Sequence, residues 1–282
     1  MSMRRSLLHH ILAACASLLL LAATPAAQAP SKPYRILVTN DDGVRAPGIL
    51  ALAHALESLG EVTVVAPAEN QSGAAHSIIT SDPILVDRVT LAGVARAYSV
   101  AGPPATCVKV AVRALMPQRP DLVVSGINRG YNLGRVTYVS GTVGAAREAA
   151  LIGIPAIASS LAVEETNYAA AAQLVKRVAE AARKNGLGSG VFLNVNVPAG
   201  AGRDIKGLRL TRQSASSGEE RFEEQKSPSG RRLFWSVWKE PTGGPEGTDV
   251  WATEHGYAAV TPLHADEFDA ATFEEWQGKL PR

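Results

Sequence analysis

Residues 35–39 (Arg-Ile-Leu-Val-Thr) form a short apolar run that stops abruptly at Asn40-Asp41-Asp42-Gly43. A run this apolar reads as a buried strand, and Gly43 supplies the tight turn that follows it. Residues 46–59, closed by Gly60, then carry a helical pattern, and residues 61–66 (Glu-Val-Thr-Val-Val-Ala) a second strand. The alternation continues with a strand at 121–124, an Ala-rich helix at 143–152 and a strand at 155–159. A helix at 168–184, ending near Asn185-Gly186, and a strand at 191–197, closed by Pro198, complete it. The expected fold is α/β, a doubly wound, mostly parallel, Rossmann-like sheet, which places ligands at the carboxyl ends of its strands. Beyond residue 198 the pattern changes. Residues 208–212 and 231–238 read as strands around a charged stretch at 218–226.

The boundary after residue 39 matters because two adjacent carboxylates repel unless a cation or a proton compensates them. Asn-Asp-Asp-Gly is also good turn chemistry, so the motif alone leaves both readings open. Similar loops follow the next two strands: Pro67-Ala-Glu-Asn-Gln-Ser72-Gly73, and Ser125-Gly-Ile-Asn128-Arg-Gly130-Tyr-Asn132-Leu-Gly134. Three strand ends thus offer Asp41, Asp42, Ser72 and Asn128, all oxygen donors, a set that suits Mg²⁺ or Mn²⁺ and argues against zinc. Ser140-Gly141-Thr142, ahead of the 143–152 helix, reads either as an ordinary N-cap or as a cradle for an anion at a helix start. A cation site and a phosphate cradle in one α/β domain point to metal-assisted phosphoryl hydrolysis. In that chemistry Asp41 or Asp42 takes a proton from water, and Asn40, Ser140 and Thr142 donate hydrogen bonds to phosphate oxygens.

Taken together, these motifs resemble the SurE family (survival protein E, 5′/3′-nucleotidases). The matching text runs from Arg35-Ile-Leu-Val-Thr-Asn-Asp-Asp-Gly-Val through Val64-Val-Ala-Pro-Ala-Glu-Asn-Gln-Ser-Gly and Ser125-Gly-Ile-Asn-Arg-Gly. It continues in Ser140-Gly-Thr-Val-Gly-Ala-Ala-Arg-Glu-Ala, Gly247-Thr-Asp249 and Gly256-Tyr-Ala-Ala-Val-Thr-Pro-Leu. The resemblance implies that Asp41, Asp42, Ser72 and Asn128 bind one divalent metal ion, with Mg or Mn expected. It also implies hydrolysis of nucleoside 5′- and 3′-monophosphates, with polyphosphate a further substrate, and a hairpin arm that joins subunits into dimers or tetramers. Asn132, Gly141 and His76, the histidine nearest the site, are expected to line the substrate pocket. The chain departs from the family pattern twice. Gly102-Pro-Pro-Ala-Thr106-Cys107 lacks an expected aspartate at Thr106, and Arg135 stands where acidic residues are usual, which predicts a pocket rim of changed sign.

An N-terminal leader bears on where the protein acts. Arg4-Arg5, an apolar stretch at 7–23 and Ala26-Ala-Gln-Ala29 have the layout of a secretory signal peptide over residues 1–29. The expected protein is therefore exported, periplasmic or secreted, with no membrane contact after cleavage. The rest divides into a core at 34–198, an arm at about 205–245 and a C-terminal strand and helix within 250–282. Of 28 Lys and Arg, two lie in the leader, leaving 26 against 26 Asp and Glu. That balance offers no basic face for a nucleic-acid duplex. Cys15 belongs to the leader, so Cys107 has no partner for a disulfide and reads as a core residue. Trp235 and Trp238 read as packing or interface residues and not as a base-stacking platform. An exported solute-binding protein, with the two aspartates holding a cationic ligand, is the rival reading. A deacetylase would need His ligands, and a serine hydrolase a Gly-x-Ser-x-Gly elbow that does not occur.

Overall fold

The structure, a computed structural model, describes residues 32–281. The leader at 1–29 and Cys15 lie outside the described residues. Strand β1 (Arg35–Thr39) is buried at every position, with the apolar Ile36-Leu37-Val38 at its centre. It pairs in parallel with β2 (Glu61–Pro67) on one side and β5 (Leu122–Arg129) on the other. The chain therefore builds outward from β1 in one direction and then restarts on the opposite flank. The β1/β5 junction is the switch point, where loops diverge and leave a crevice.

Helices cover both faces. On one, α1 (Pro47–Leu56) and α4 (Tyr168–Asn185) pack on Ile36, Val38 and Val124. On the other, α2 (Pro104–Val110) and α3 (Gly141–Leu151) pack on Leu37, Val65 and Val123. Ile36, Leu37 and Val38 divide between the two cores because successive strand side chains point to opposite faces. Each helix begins where the sequence provides a start. Pro47 and Pro104 occupy first-turn positions, where the missing N–H is no loss, and Ser140 Oγ accepts from Val143 N at 3.1 Å to cap α3. Cys107 is buried and free in α2, and burial pushes its thiol up.

The sheet continues through β6 (Ala156–Leu161), parallel to β5, and β7 (Val191–Val197), parallel to β6. Next comes β11 (Ala258–His264), antiparallel to β7, with β8 (Leu208–Leu210) at that edge. At the other edge stand β4 (Arg96–Val100) and β3 (Val86–Arg88), which the hydropathy pattern does not announce. The charged stretch read as a connection is itself a strand. β9 (Glu219–Lys226) pairs antiparallel with β10 (Arg232–Lys239) as a separate two-stranded arm, exposed along nearly its whole length. With both faces in solvent there is no apolar alternation to read. Pairs such as Arg232 Nε to Glu224 Oε1, at 2.7 Å, line its surface. Helix α5 (Asp249–Glu254) precedes β11, and α6 (Ala270–Trp276) follows it.

Candidate active site

A cavity of about 410 Å³ opens at the β1/β5 switch point. Its wall carries Asp41 from the loop after β1, Ser72 from the loop after β2, Asn128 from the end of β5, and Asn132 and Ser140 beyond it. Five candidate residues scattered over a hundred positions of sequence thus meet in one crevice. Asn128 gets there through a bulge. The β5/β6 register shifts between Ser125 and Asn128, and Gly126 adopts φ +131°, where a Cβ would strike Ser159 O at 2.3 Å.

Asp41 is 3% exposed and sits at the start of α3. Its Oδ1 accepts the Thr142 hydroxyl at 2.5 Å, and the Thr142 backbone N–H points to the same carboxylate. Burial nevertheless pushes the Asp41 carboxyl up to about 6, the Thr142 bond opposing it and the Asp42 charge adding to it. Gly141 is required here by contact: a Cβ on it would lie 2.9 Å from Asp41 Cβ and 3.1 Å from Oδ2. Asp42 is half-buried and its Oδ2 accepts Arg129 N at 3.2 Å. Its carboxyl is also raised, by burial, against the Arg129 N–H and guanidinium.

Of the four expected metal ligands, Asp41, Ser72 and Asn128 stand on the cavity wall and Asp42 does not, its carboxylate lying beside Arg129. Asp41 and Asp42 have each committed one oxygen within the fold. Asn128 Nδ2 donates to Gly130 O at 2.7 Å, which leaves its Oδ1 without a bond among the described residues. Three more buried oxygens at these strand ends have no partner among the described residues: Thr39 Oγ1, Asn40 Oδ1 and Ser125 Oγ. Unpartnered buried oxygens and two adjacent carboxylates disfavoured by burial are what a hard divalent cation compensates, so the residues fit such an ion. Among the described residues there is no group of three or more His, Cys, Asp or Glu that could hold a metal ion.

The remaining expected residues are placed differently. Asn40 is fully buried and off the cavity wall; its Nδ2 donates to Gly43 O at 2.9 Å and closes the turn, so only its Oδ1 is left without a partner among the described residues. Thr142 is fully buried, its hydroxyl spent on Asp41; it positions a carboxylate, and neither it nor Gly141 stands on the cavity wall. Of the cradle, only Ser140 is there. Because its oxygen accepts from Val143 N, its own O–H remains to donate. His76 Nε2 bonds Glu148 Oε2 at 2.9 Å, away from the wall, and ties the loop after β2 to α3. The rim does not change sign through Arg135, whose side chain is exposed and off the wall while its N–H bonds Ser216 O at 2.8 Å. Thr106 accepts Ile79 N at 3.0 Å, so a hydroxyl serves the loop where the family pattern has a carboxylate.

Other contributors are visible only in three dimensions. Asn132 is held by amides: its N–H donates to Asn196 Oδ1 at 2.8 Å, its O accepts Asn194 Nδ2 at 2.7 Å, and its Nδ2 donates to Ser160 Oγ at 2.8 Å. Two asparagines inside the apolar text Val-Phe-Leu-Asn194-Val-Asn196-Val were the available signal. Asp249 is fully buried and fixes the loop after β5 by accepting Gly134 N at 2.8 Å. Arg129 brings a cation to the wall, and Trp238 and Glu240 reach it from the arm. A second cavity, of about 460 Å³ and lined by Thr137, Arg147 and Asp266 among others, contains none of the candidate residues.

Comparison with known proteins agrees with this geometry. The family described as Survival protein SurE matches residues 36–220. The chain is 42% identical over 248 residues to a protein named 5′-nucleotidase SurE from Syntrophomonas wolfei, covering 86% of this chain and 93% of the relative. It is 45% identical over 234 residues to the 5′-nucleotidase SurE of Pelobacter propionicus, covering 82% and 93%. Among solved structures, the SurE protein from Aquifex aeolicus superposes with a TM-score of 0.76 at 38% identity, covering 86% of this chain and 97% of that one.

Proposed function

The chain belongs to the survival protein SurE family, and from that premise we propose that it is a divalent-metal-dependent 5′-nucleotidase that also accepts nucleoside 3′-monophosphates. The observation that carries this reading is the convergence of Asp41, Ser72, Asn128 and Ser140 on one cavity at the sheet's switch point. Relatives named 5′-nucleotidase support the substrate class. A turning-over enzyme accounts for these features better than a solute-binding protein does, because the relatives are named for an activity.

Asp41, Asp42, Ser72 and Asn128 would hold the ion, which when bound polarises a phosphoryl oxygen and lowers the pKa of a nearby water. The protein's own groups do the rest. Thr142 fixes Asp41 and the Arg129 N–H fixes Asp42, so each carboxylate presents a single free oxygen in a set direction. One of those oxygens takes the proton of the attacking water. The Ser140 O–H donates a hydrogen bond to a phosphate oxygen, and the Arg129 guanidinium offsets the phosphate charge. The buried asparagine network holds Asn132 rigid beside them. Phosphate release from AMP tests the reading: EDTA should abolish it, and Mg²⁺ or Mn²⁺ should restore it. Undiminished release in EDTA refutes it.

Two further parts of the reading rest on particular residues. Phe222, Phe234 and Trp235 are exposed on the arm, which suits an arm that buries them against another subunit; sedimentation should give a dimer or tetramer, and a monomer would refute it. Arg4-Arg5 and the apolar stretch after them support export; the mature N-terminus should fall between about residues 26 and 32, and an intact Met1 on soluble native protein would refute it.

A further inference from the structure

The arm does something at the cavity as well as in solvent. Trp238 lies near the end of β10 and Glu240 follows that strand, two positions apart and hence on the same side of it. Both stand on the wall of the cavity that contains Asp41, Ser72 and Asn128. Trp235, earlier in the same strand, is not on that wall, and its Nε1 bonds Gln225 Oε1 at 3.1 Å on β9. The two tryptophans that look alike in sequence are therefore in different situations.

The Trp238 indole is seated, not merely exposed. A Cβ on Gly218 would lie 2.6 and 2.8 Å from two of its ring carbons, so the ring rests against backbone that only glycine leaves open. Gly218 holds φ +74°, which also suits glycine. The residue as a whole is 44% exposed, so Trp238 is not closed off from the cavity. It has no hydrogen-bonding partner among the described residues that would turn it away. A ring held by backbone loses little freedom when a planar group stacks on it, which is how aromatic residues bind bases without regard to their identity.

Charge sets which way round a ligand lies. Ser140 and Arg129 attract a phosphate, whereas the arm brings Glu240, with Glu164 close enough to raise its carboxyl after burial has done so. Glu240 Oε1 accepts Tyr131 N at 3.3 Å, which holds the carboxylate in place. A phosphate avoids that end of the cavity and an uncharged base does not.

We propose that Trp238 is the nucleobase-stacking residue of this enzyme, placing a purine or pyrimidine against the arm while the phosphate faces Asp41 and Ser140. This rests on the nucleotidase reading and names its base subsite. This role is added to the packing role read for Trp238 from sequence, on the ground that the residue stands on the cavity wall.

The experiment has two arms. In the first, adenosine, which carries no phosphate, is titrated into the metal-loaded wild-type protein and its Trp238→Ala and Trp238→Phe variants by calorimetry. Wild type should bind, Trp238→Ala should bind about tenfold more weakly, and Trp238→Phe should fall between them. Equal binding by all three, or no binding by wild type, overturns the proposal. In the second, kcat/KM is compared for AMP and for ribose 5-phosphate, which lacks a base. The AMP-to-ribose 5-phosphate ratio should drop about tenfold in Trp238→Ala. A ratio that stays constant overturns the base subsite while leaving the nucleotidase reading intact. Absence of turnover in wild type would sink the nucleotidase reading, and the adenosine arm would still decide on Trp238.

Discussion

Replacing Asp41 by Asn should stabilise the metal-free protein at neutral pH. The carboxyl is 3% exposed and is pushed up to about 6 from an ordinary 3.8, with burial as the main cause. A raised acid contributes stability that is fully present below the unfolded value and is lost as pH rises through the folded one. The window is therefore roughly pH 4 to 6. A shift of about two units corresponds to about 3 kcal/mol, the cost of holding the charge once both states are ionised. Asn avoids that cost and its Oδ1 still accepts the Thr142 hydroxyl. Its NH₂ group faces the polar cavity, so part of the gain is lost, leaving about 2 kcal/mol. For a chain of this length that is a rise in Tm of roughly 4–8 °C. Thermal denaturation followed by circular dichroism in EDTA at pH 7.5 and pH 4 measures it. The gap should be present at pH 7.5 and nearly closed at pH 4. Saturating Mn²⁺ should reverse the order, because the ion binds and stabilises wild type far better. A variant less stable than wild type at pH 7.5 without metal, or a gap independent of pH, would refute the reasoning.

Two other substitutions separate scaffold from site. Thr106→Val removes the acceptor of the Ile79 N–H and should cost about 1–3 kcal/mol in urea denaturation, whereas Thr106→Ser should recover most of it; equal stability of all three would show that the bond carries no weight. Gly141→Ala forces a Cβ to within about 3 Å of Asp41, so AMP turnover should fall at least a hundredfold while Tm changes by only a few degrees; near-normal turnover would mean that Asp41 has room to move.

The part of this structure that sequence reveals best is the part with one-dimensional causes. β1 is legible because the apolar Ile36-Leu37-Val38 gives way to Thr39-Asn40, and α3 because Ser140 caps it where the Ala-rich text starts. The strand ends are legible for the same reason, and with them Asp41, Ser72 and Asn128. What stays hidden depends on which strands become neighbours. Thr142 was expected to face phosphate, yet the approach of β1 to α3 turns its hydroxyl to Asp41. Asn194 and Asn196 acquire meaning only when β7 lies close enough to hold Asn132. β4 and β3 sit at a sheet edge with mixed burial, and β9 is solvated on both faces, so none carries a period that distinguishes it from a loop. Trp238 and Trp235 share one strand and one composition, and only the fold of the arm separates their surroundings.

The central claim is that oxygens from three strand ends hold one divalent ion and that phosphate-ester hydrolysis depends on it. Mn²⁺ titration followed by electron paramagnetic resonance, with AMP turnover read in the same samples, tests it most directly. Wild type should take up one ion per chain with turnover rising in proportion to occupancy, and Asp42→Ala should lose both while keeping its fold. Full AMP turnover in Asp42→Ala, or in wild type with no Mn²⁺ bound, would contradict the account.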